Sequence, residues 1–545
     1  MAAFETHEVL NQSPPFEDVD LYALDRPLED ALTANGAAGE ATALAQFGRR
    51  FGSADMLEQA RLANENVPRL KSYDFKGFRR DVVEFHPAYH RLMGESIAAG
   101  VHASTWRPSG HRAAAPAEVA RAARFYMANQ VEAGHCCPIT MTRAAVAALA
   151  AEPALRDRVI GKILSRTYDP LFRPAADKTG ITLGMGMTEK QGGTDARANT
   201  TRAAPASEGY LITGHKWFLS APMCDAFLVL AQAPGGLTCF LMPRFRPDGS
   251  VNALRLQRLK DKLGNRSNAS AEVEFAEAFA WRVGEEGRGV RTIIEMVQLT
   301  RLDCALGSAG LMRMALAQAV HHARHRSVFQ RRLADQPMMR KVLADLALEL
   351  EAAVAVVMRL ARAFDRPSDA AEAARARLLT PAVKYWVCKT APAFIYEAME
   401  CLGGNGYVEE APLARLYREA PVNAIWEGSG NVMCLDVLRA LEREGEAGRE
   451  LLETLARESA HLPGADRAAA FVVRALGAAD AEANARRAVE RLALLAAAAA
   501  LAESAPAIAE IFARARLSEP HGATYGTATV EGAEVAALLE RALPA

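Results

Sequence analysis

The stretch Gly184-Met185-Gly186-Met187-Thr188-Glu189-Lys190-Gln191-Gly192-Gly193-Thr194-Asp195 marks the point at which the pattern of this chain changes. Glycine lets a backbone approach a flat or anionic ligand closely, because no Cβ intervenes. The hydroxyls of Thr188 and Thr194 can donate hydrogen bonds to such a ligand. A Gly-rich segment is equally compatible with a tight turn between strands. The surrounding sequence therefore has to distinguish a ligand-binding loop from a turn.

Short apolar runs separated by Gly, Pro and Asp follow this stretch. Such runs are typical of β-strands, and alternation of polar and apolar residues is typical of a half-exposed strand. The runs lie at residues 210–214, 226–231, 237–242 and, with alternation, 272–275. The sequence therefore predicts an antiparallel β domain over residues 184–282.

Helical patterns flank this domain on both sides. Residues 1–30 are rich in Pro and Asp and predict an extended arm, whereas residues 27–178 favour helix. Long amphipathic segments at 290–330, 335–364, 370–402 and 425–443 predict a four-helix bundle. The last ~100 residues are rich in Ala and Arg and predict an appended helical domain. We expect a mainly α protein with a central antiparallel β domain, divided as 1–183, 184–282, 283–441 and 442–545.

Composition limits the possible classes of function. The net charge of −1 over 545 residues provides no global field that would recruit nucleic acid or membrane. The eight Cys form no Cys-x-x-Cys pair, which favours buried thiols in a reducing cytosol over a zinc site or any other metal site. No basic start followed by an apolar run is present, and the longest apolar run, 492–502, is far shorter than the ~20 residues that span a bilayer. We expect a soluble cytoplasmic protein that does not interact with membranes.

Several motifs follow one another in a fixed order along the chain. They occupy residues 187–195, 214–220, 262–275, 284–289, 326–336, 403–407, 415–419 and 425–431. Any one of them is weak, but many in one order are strong. Together with the order of helical, β and bundle segments, they resemble the acyl-CoA dehydrogenase flavoproteins. The resemblance implies an oxidoreductase with bound FAD.

The first group of motif residues resembles the flavin-binding side of that family. By this resemblance Thr188 faces the O2/N1 edge of the ring, Ser220 donates to N5, and Phe218 stacks on the ring. Phe218 stands where Trp is usual, which leaves less cover over the flavin. Thr194 resembles the hydroxyl that meets the cofactor phosphate or the substrate. The implied flavin contacts in this group are Met185, Met187, Thr188, Gly193, Thr194, Phe218 and Ser220.

Glu427 resembles the catalytic base of the family. A carboxylate over an acyl thioester removes its α-proton while the β-hydrogen leaves as hydride to the flavin, and an apolar site would raise the carboxyl pKa toward neutrality. A Glu before Gly could instead be a helix N-terminal residue that the dipole favours. Trp426 stands where Tyr is usual and could narrow the acyl pocket, and Arg439 is a candidate for the cleft. Asn431, four residues after Glu427, is expected on the same helix face. The implied cofactor contacts here are Ile425, Gly428, Ser429 and Asn431.

A third group resembles residues that reach the adenine and pyrophosphate half of FAD in a neighbouring subunit. They are Arg326, Phe329, Gln336, Gly403 and Gly404. The resemblance therefore implies a homo-oligomer, by analogy a homotetramer, in which each flavin site is completed by a partner copy. The Phe-Gly usual in the family is Phe329-Gln330 here, which leaves the local turn open. The Arg and His residues around 321–332 are also compatible with a solvated basic face.

Residues 6–12, 184–193, 199–203, 259–270 and 421–431 more closely resemble a branch of the family that takes part in the response to DNA alkylation and binds duplex DNA. The resemblance implies a DNA site in the C-terminal domain, residues 442–545. That segment contains 11 Arg and no Lys against 16 Asp or Glu, a net charge of −5, although phosphate neutralisation carries DNA affinity. An Arg patch could provide it locally, or the Arg could simply solubilise an Ala-rich helix. The patch comprises Arg474, Arg486, Arg487, Arg491, Arg514 and Arg516.

Three functions remain open at this point. The first is an alkylation-response flavoprotein with weak acyl-CoA dehydrogenase activity and duplex DNA binding. The second is a metabolic short- or branched-chain acyl-CoA dehydrogenase that uses the same residues on an acyl-CoA thioester. The third is a DNA-binding protein in which the flavin is structural.

Overall fold

A computed structural model describes residues 6–519 and 522–544 of the chain. The α-helices are α1 Arg26–Ala34, α2 Ala41–Phe51, α3 Ala54–Glu65, α4 Pro87–Ala98, α5 Ala117–Val131, α6 Cys136–Leu149, α7 Pro153–Ile163, α8 Gly289–His325, α9 Pro337–Asp365, α10 Ala370–Glu400, α11 Gly404–Tyr407, α12 Pro412–Asn423, α13 Gly430–Glu444, α14 Glu446–Ser459, α15 Ala465–Leu476, α16 Ala481–Ser504, α17 Pro506–Ala513 and α18 Gly532–Ala542. The strands are β1 Arg69–Tyr73, β2 Arg79–Glu84, β3 Leu183–Gly186, β4 Arg202–Ala206, β5 Gly209–Ser220, β6 Ala226–Ala233, β7 Gly236–Pro243, β8 Leu254–Leu259, β9 Ser270–Val283, β10 Ser327–Val328 and β11 Arg331–Arg332.

The chain divides into two compact units. The central unit comprises Asp55–Asp303, and the terminal unit comprises the residues up to Ala54 together with those from Cys304 onward. Each unit has its own buried apolar core.

The central unit is built around a seven-stranded sheet in the order β3-β6-β4-β5-β9-β7, with β8 paired to β9. Because β6 also pairs with β7, the pairings β6-β4-β5-β9-β7 close into a ring. The predicted strands are confirmed within β5, β6, β7 and β9. The sheet is not purely antiparallel, since β3 runs parallel to β6. The roughly forty residues between these two strands allow the crossover that parallel pairing needs.

A network of buried charges connects helices in the central unit. Asp303 accepts hydrogen bonds from Arg121 and Arg143, and Arg143 also binds Glu118. All four side chains are buried. Removing one partner of such a network leaves an uncompensated buried charge, which is strongly destabilising.

Glu132 links helix and sheet within the same unit. Its carboxylate accepts from the Gly134 and His135 amides at 2.9 and 2.8 Å, from Asn64 Nδ2 at 3.0 Å and from Ser267 Oγ at 2.7 Å. Burial opposes ionisation, but these donors and the His135 ring lower the pKa of Glu132 to about 2. Multiple hydrogen bonds to the charged form have this effect on a carboxylate.

The terminal unit is helical. The long helices α9 and α10 pack against each other, and α16 packs against both of them and against α13. The Ala-rich part of α16, residues 492–501, is buried, so the C-terminal helices share a core with the bundle helices. Among the described helices, none combines the length and apolar character that a membrane crossing needs.

The predicted long helices agree closely with α8, α9 and α10. The mainly α fold class with its central β-rich domain is confirmed. The division into four domains stays a prediction. The hairpins β1–β2 and β10–β11 were not predicted, because the segments that form them are charged and lack apolar alternation.

Candidate functional site

The Gly-rich stretch is a strand followed by a loop in the central unit. β3 ends at Gly186, and the Thr188 carbonyl then accepts from the Trp217 amide of β5 at 2.8 Å. A Cβ on Gly186 would lie 2.8 Å from Leu219 Cδ1. Glycine at this position therefore favours the close approach of these two segments. This approach places Thr188 beside the segment that contains Phe218 and Ser220.

The side chains at this place suit a flat ligand with hydrogen-bond acceptors on its edge. A Cβ on Gly193 would lie 2.3 Å from Thr188 Oγ1, so glycine leaves space around that hydroxyl. Phe218 exposes 47% of its surface, and Ser220 Oγ lies 3.4 Å from Ser270 Oγ. Thr194 is exposed, and Met185 and Met187 are half-buried. An exposed ring and adjacent hydroxyls are the groups that an isoalloxazine ring requires.

A buried ion pair fixes the loop beneath these groups. Lys216 Nζ of β5 lies 2.8 Å from Glu189 Oε1, and both side chains are fully buried. The same ammonium donates to the Leu230 carbonyl at 2.8 Å. Burial lowers the pKa of Lys216, although Glu189 opposes that effect. This pair was not predicted from the sequence, although Lys216 directly precedes the apolar run Trp217-Phe218-Leu219 of the strand.

Lys260 is a second residue that the sequence analysis did not identify. Its Nζ lies 3.3 Å from the centroid of the Trp217 ring and 4.7 Å from that of Phe218. Glu272 pairs with this ammonium at 2.6 Å. A cation close to these rings adds positive charge beside the face that is predicted to meet the flavin.

A cavity of about 240 Å³ lies within the central unit and is lined by Ala221, the residue after Ser220. Its walls include Phe85, Tyr89, Met93 and Met223. His90 Nδ1 and the Tyr168 hydroxyl, which are also in the wall, lie 2.9 Å apart. Apolar walls with a few polar groups are typical of ligand pockets.

In the terminal unit, Glu427 lies in a turn rather than a helix, with φ of +59°. A non-glycine residue in this region is strained by about 1–3 kcal/mol, and such strain concentrates at functional sites. The next residue, Gly428, has φ of +107°, and a Cβ there would lie 2.6 Å from Met433 Cε. Lys384 Nζ, buried in α10, donates to the Gly428 carbonyl at 2.9 Å.

This geometry corrects one expectation. Because α13 begins at Gly430, Glu427 lies outside the helix, and the spacing to Asn431 does not place the two on one helix face. Glu427 is also not an N-terminal residue of this helix, because it precedes the N-cap Ser429 and its φ is positive. Arg439 and Asn431 are exposed, as are Ile425 and Ser429. Trp426 Nε1 donates to Asn423 Oδ1 at 3.1 Å, which fixes the indole beside the turn.

Lys384 was also absent from the sequence prediction. Lys384 is the single Lys in the apolar run 381–388 of α10. This pattern could have indicated a buried ammonium, which requires an acceptor. Its acceptor lies 44 residues further along the chain.

The third predicted group centres on a small hairpin in the terminal unit. β10 and β11 are joined by Phe329 and Gln330, with φ of +50° and +61°. Two positive φ values are typical of a type I′ turn, which favours Asn-Gly. Phe329 is 93% exposed. Gln336 Nε2 donates to the Val328 carbonyl at 3.1 Å.

The glycine pair in this group lies at the start of α11. Gly403 has φ of +60°, and a Cβ on either Gly403 or Gly404 would meet nothing within 4 Å. Open space around both residues is compatible with a ligand or a partner chain approaching their backbone. Arg326 Nη1 donates to the Asn11 carbonyl at 2.7 Å.

The predicted DNA patch is only partly available. Arg516 does not belong to an accessible patch, which corrects its prediction as a DNA contact. Its side chain is 6% exposed and pairs with Asp345 and with Glu349, the latter at 2.8 Å. Arg514 pairs with Glu534 at 2.6 Å. Arg491 donates to the Arg516 carbonyl, Arg486 to the Tyr385 hydroxyl, and Arg487 lies over the Phe471 ring. Arg474 and Arg487 are exposed.

Three segments of the chain match known domain families. Residues 11–170 match the adaptive response protein AidB N-terminal domain. Residues 184–278 match the acyl-CoA dehydrogenase middle domain, and residues 287–442 match the acyl-CoA dehydrogenase C-terminal domain.

Individual proteins are similar over most of the chain. The AidB protein of Escherichia coli is 53% identical over 443 residues, which are 81% of each chain. Acyl-CoA dehydrogenase family member 11 of Caenorhabditis elegans is 31% identical over 78% of this chain and 70% of its own. The crystal structure of the C. elegans protein ACDH-11 in complex with C11-CoA superimposes with a TM-score of 0.84 at 26% identity, covering 99% of this chain and 97% of that one. The chain therefore belongs to the acyl-CoA dehydrogenase family and is an FAD-dependent oxidoreductase of that type.

Proposed function

We propose that this protein oxidises an acyl-CoA thioester, with Glu427 as the base that removes the α-proton. The observation that carries the proposal is the turn at Glu427. The backbone of Glu427 adopts a strained positive φ there, and the buried Lys384 donates to the carbonyl of the next residue, Gly428. Strain that the surrounding structure maintains is typical of active-site residues.

Side chains of the central unit have the chemistry needed to hold the cofactor. Thr188 and Ser220 supply hydroxyls for the ring edge, Phe218 supplies a face, and Gly193 leaves room for the approach. FAD held by these residues would supply the acceptor for the hydride that leaves the β-carbon of the substrate. The cavity beside Ala221 offers apolar walls for part of an acyl group.

Glu427→Gln tests the proposed base. Gln retains the shape of the side chain but cannot accept a proton near neutral pH, so we expect normal FAD content and loss of substrate oxidation by at least about 100-fold. The measurement is anaerobic bleaching of the flavin absorbance by acyl-CoA thioesters of several chain lengths. Glu442→Gln, exposed on the adjacent helix α13, is the control for a changed carboxylate. Equal bleaching rates in wild type and Glu427→Gln would remove Glu427 as the base.

We further propose a role in the adaptive response to DNA alkylation, with duplex DNA as a partner. The support is similarity to AidB over 81% of the chain and the match of residues 11–170 to the AidB N-terminal domain. A metabolic enzyme for short- or branched-chain acyl-CoA would use the same residues. It would reduce its flavin within the turnover time of the enzyme and would not bind DNA. A DNA-binding protein with a structural flavin would show no bleaching with any thioester.

We also propose that the chain forms a homotetramer in which Arg326, Phe329, Gln336, Gly403 and Gly404 contact the FAD of a neighbouring copy. The exposed Phe329 and the open space at the glycine pair support this arrangement.

A further inference from the structure

The extended arm before α1 contacts the Phe329 hairpin through one residue, Asn11, within the terminal unit. Asn11 Nδ2 donates to the Ser327 carbonyl at 2.7 Å, and the Ser327 amide donates to Asn11 Oδ1 at 2.7 Å. The Asn11 side chain thus satisfies both backbone groups of Ser327, as a neighbouring strand would. The Arg326 guanidinium adds a bond to the Asn11 carbonyl at 2.7 Å.

The hairpin is short, and its other support comes from Gln336, which donates to the Val328 carbonyl, and from the Leu333 amide, which donates to the Arg326 carbonyl at 2.8 Å. Its two strands contain two residues each, and a two-stranded hairpin alone is marginally stable. Phe329 and Gln330 both adopt positive φ without being glycine. That conformation is strained for side chains of this size.

Further contacts fix the arm on both sides of Asn11. Asn405 Nδ2 donates to Gln12 Oε1 at 3.4 Å, which joins the arm to the glycine turn at 403–404. Ser13 Oγ lies 3.2 Å from His322 Nδ1, and His321 Nε2 donates to the Pro14 carbonyl at 2.8 Å. The arm therefore connects helix α8, the hairpin and the glycine turn.

We propose that Asn11 is a positioning residue that holds the 327–332 hairpin, and with it Phe329, in the conformation that contacts FAD. Asn11 acts through the hairpin and does not need to touch the cofactor itself. The inference rests on the proposed role of Phe329 and of the glycine pair in cofactor binding. It adds the extended arm to the set of elements on which FAD affinity depends.

Asn11→Gly isolates the side-chain contribution. Asn11 has φ of +58°, which glycine adopts without strain, and the backbone bond to Arg326 can persist. Loss of two hydrogen bonds should weaken the support for the hairpin substantially. We expect faster hydrogen exchange at the Ser327 amide and about tenfold weaker FAD binding, with little change in the melting temperature of the apoprotein.

Glu17→Gln is the matched control, because Glu17 is exposed on the same arm outside these contacts. It should leave both Ser327 exchange and FAD affinity unchanged. Asn11→Asp retains the acceptor for the Ser327 amide but loses the donor for its carbonyl, so its amide exchange should lie between wild type and Asn11→Gly.

A double-mutant cycle shows whether Asn11 acts through Phe329. In a Phe329→Ala background, Asn11→Gly should weaken FAD binding no further, since the ring that it positions is absent. Additive losses of affinity would overturn the inference, and so would wild-type FAD affinity and wild-type Ser327 exchange in Asn11→Gly. If Phe329→Ala alone binds FAD as tightly as wild type, the proposed cofactor role of the hairpin is wrong, whatever happens to Ser327 exchange.

Discussion

At the scale of the residue, the turn around Glu427 shows what sequence could and could not provide. The resemblance of residues 425–431 to a family motif identified Glu427 as the candidate base. It did not predict a positive φ at Glu427, because residues with a side chain strongly prefer negative φ. Nor did it identify Lys384, whose ammonium holds the Gly428 carbonyl from another helix.

Lys384→Met tests whether this ammonium maintains the turn. Methionine keeps most of the apolar stem but leaves the Gly428 carbonyl without its donor, which costs about 1–3 kcal/mol when the group is buried. We expect a lower melting temperature and slower flavin reduction by acyl-CoA thioesters, while FAD remains bound. Lys389→Met, exposed on the same helix, is the control. Unchanged flavin reduction in Lys384→Met would show that Glu427 keeps its position without this bond.

At the scale of the element, periodicity was a good guide wherever one face of a segment is apolar. The predicted helices end close to the observed ends of α9 and α10, and β6 and β7 coincide with apolar runs. Hairpin β1–β2 was not predicted, because its strand β1 alternates only between exposed and half-buried positions. The parallel pairing of β3 with β6 depends on contacts far apart in sequence, which local pattern does not contain.

Glu132 makes a prediction at this scale, because it connects α5 to the loop before β9 through Ser267. Its folded pKa of about 2 lies below its ordinary value of 4.5. The stabilisation is therefore fully present above pH 4.5 and is lost as pH falls from there toward 2. The shift corresponds to up to about 3 kcal/mol.

Glu132→Gln should remove this dependence. We expect the variant to unfold at a lower denaturant concentration at pH 7, and the difference from wild type to shrink as pH falls below 4.5. Denaturant unfolding at a series of pH values measures both effects. Glu208→Gln, exposed in the same unit, should follow the wild-type curve. A wild-type pH dependence in Glu132→Gln would mean that other carboxylates dominate acid unfolding.

At the scale of the whole molecule, the C-terminal segment shows that a count of charges does not reveal which Arg side chains are accessible to a partner. The net charge of −5 and six candidate Arg could be obtained from the sequence. Which Arg are used internally depends on packing against α9, since Asp345 and Glu349 of that helix hold Arg516. Of the candidates, Arg474, Arg486 and Arg487 are exposed and lie outside the ion pairs of Arg514 and Arg516, but Arg486 donates to the Tyr385 hydroxyl.

The expected effect of each Arg on duplex DNA binding depends on whether its side chain is exposed or held in an internal ion pair. If these surface Arg contact phosphates, replacing both Arg474 and Arg487 with Gln should weaken duplex binding and reduce the slope of log affinity against log salt by about 2. Arg516→Met should instead lower the melting temperature, because two buried carboxylates lose their partner. The expected loss in the free energy of unfolding is about 3–5 kcal/mol. Gel shifts at several salt concentrations give the slope. Affinity that does not vary with salt would exclude phosphate contacts as its source.

The burial of all eight cysteines has a consequence for chemistry that attacks the protein itself. Only the thiolate is a good nucleophile, and burial raises the pKa of Cys239 and Cys401 to about 12. Electrophiles in the surrounding solution, including methylating agents, are therefore kept from all eight thiols by burial, and at Cys239 and Cys401 they also meet a protonated group. Unfolding of a molecule would expose these cysteines and lower the raised pKa values, so the thiols would become reactive in the unfolded chain.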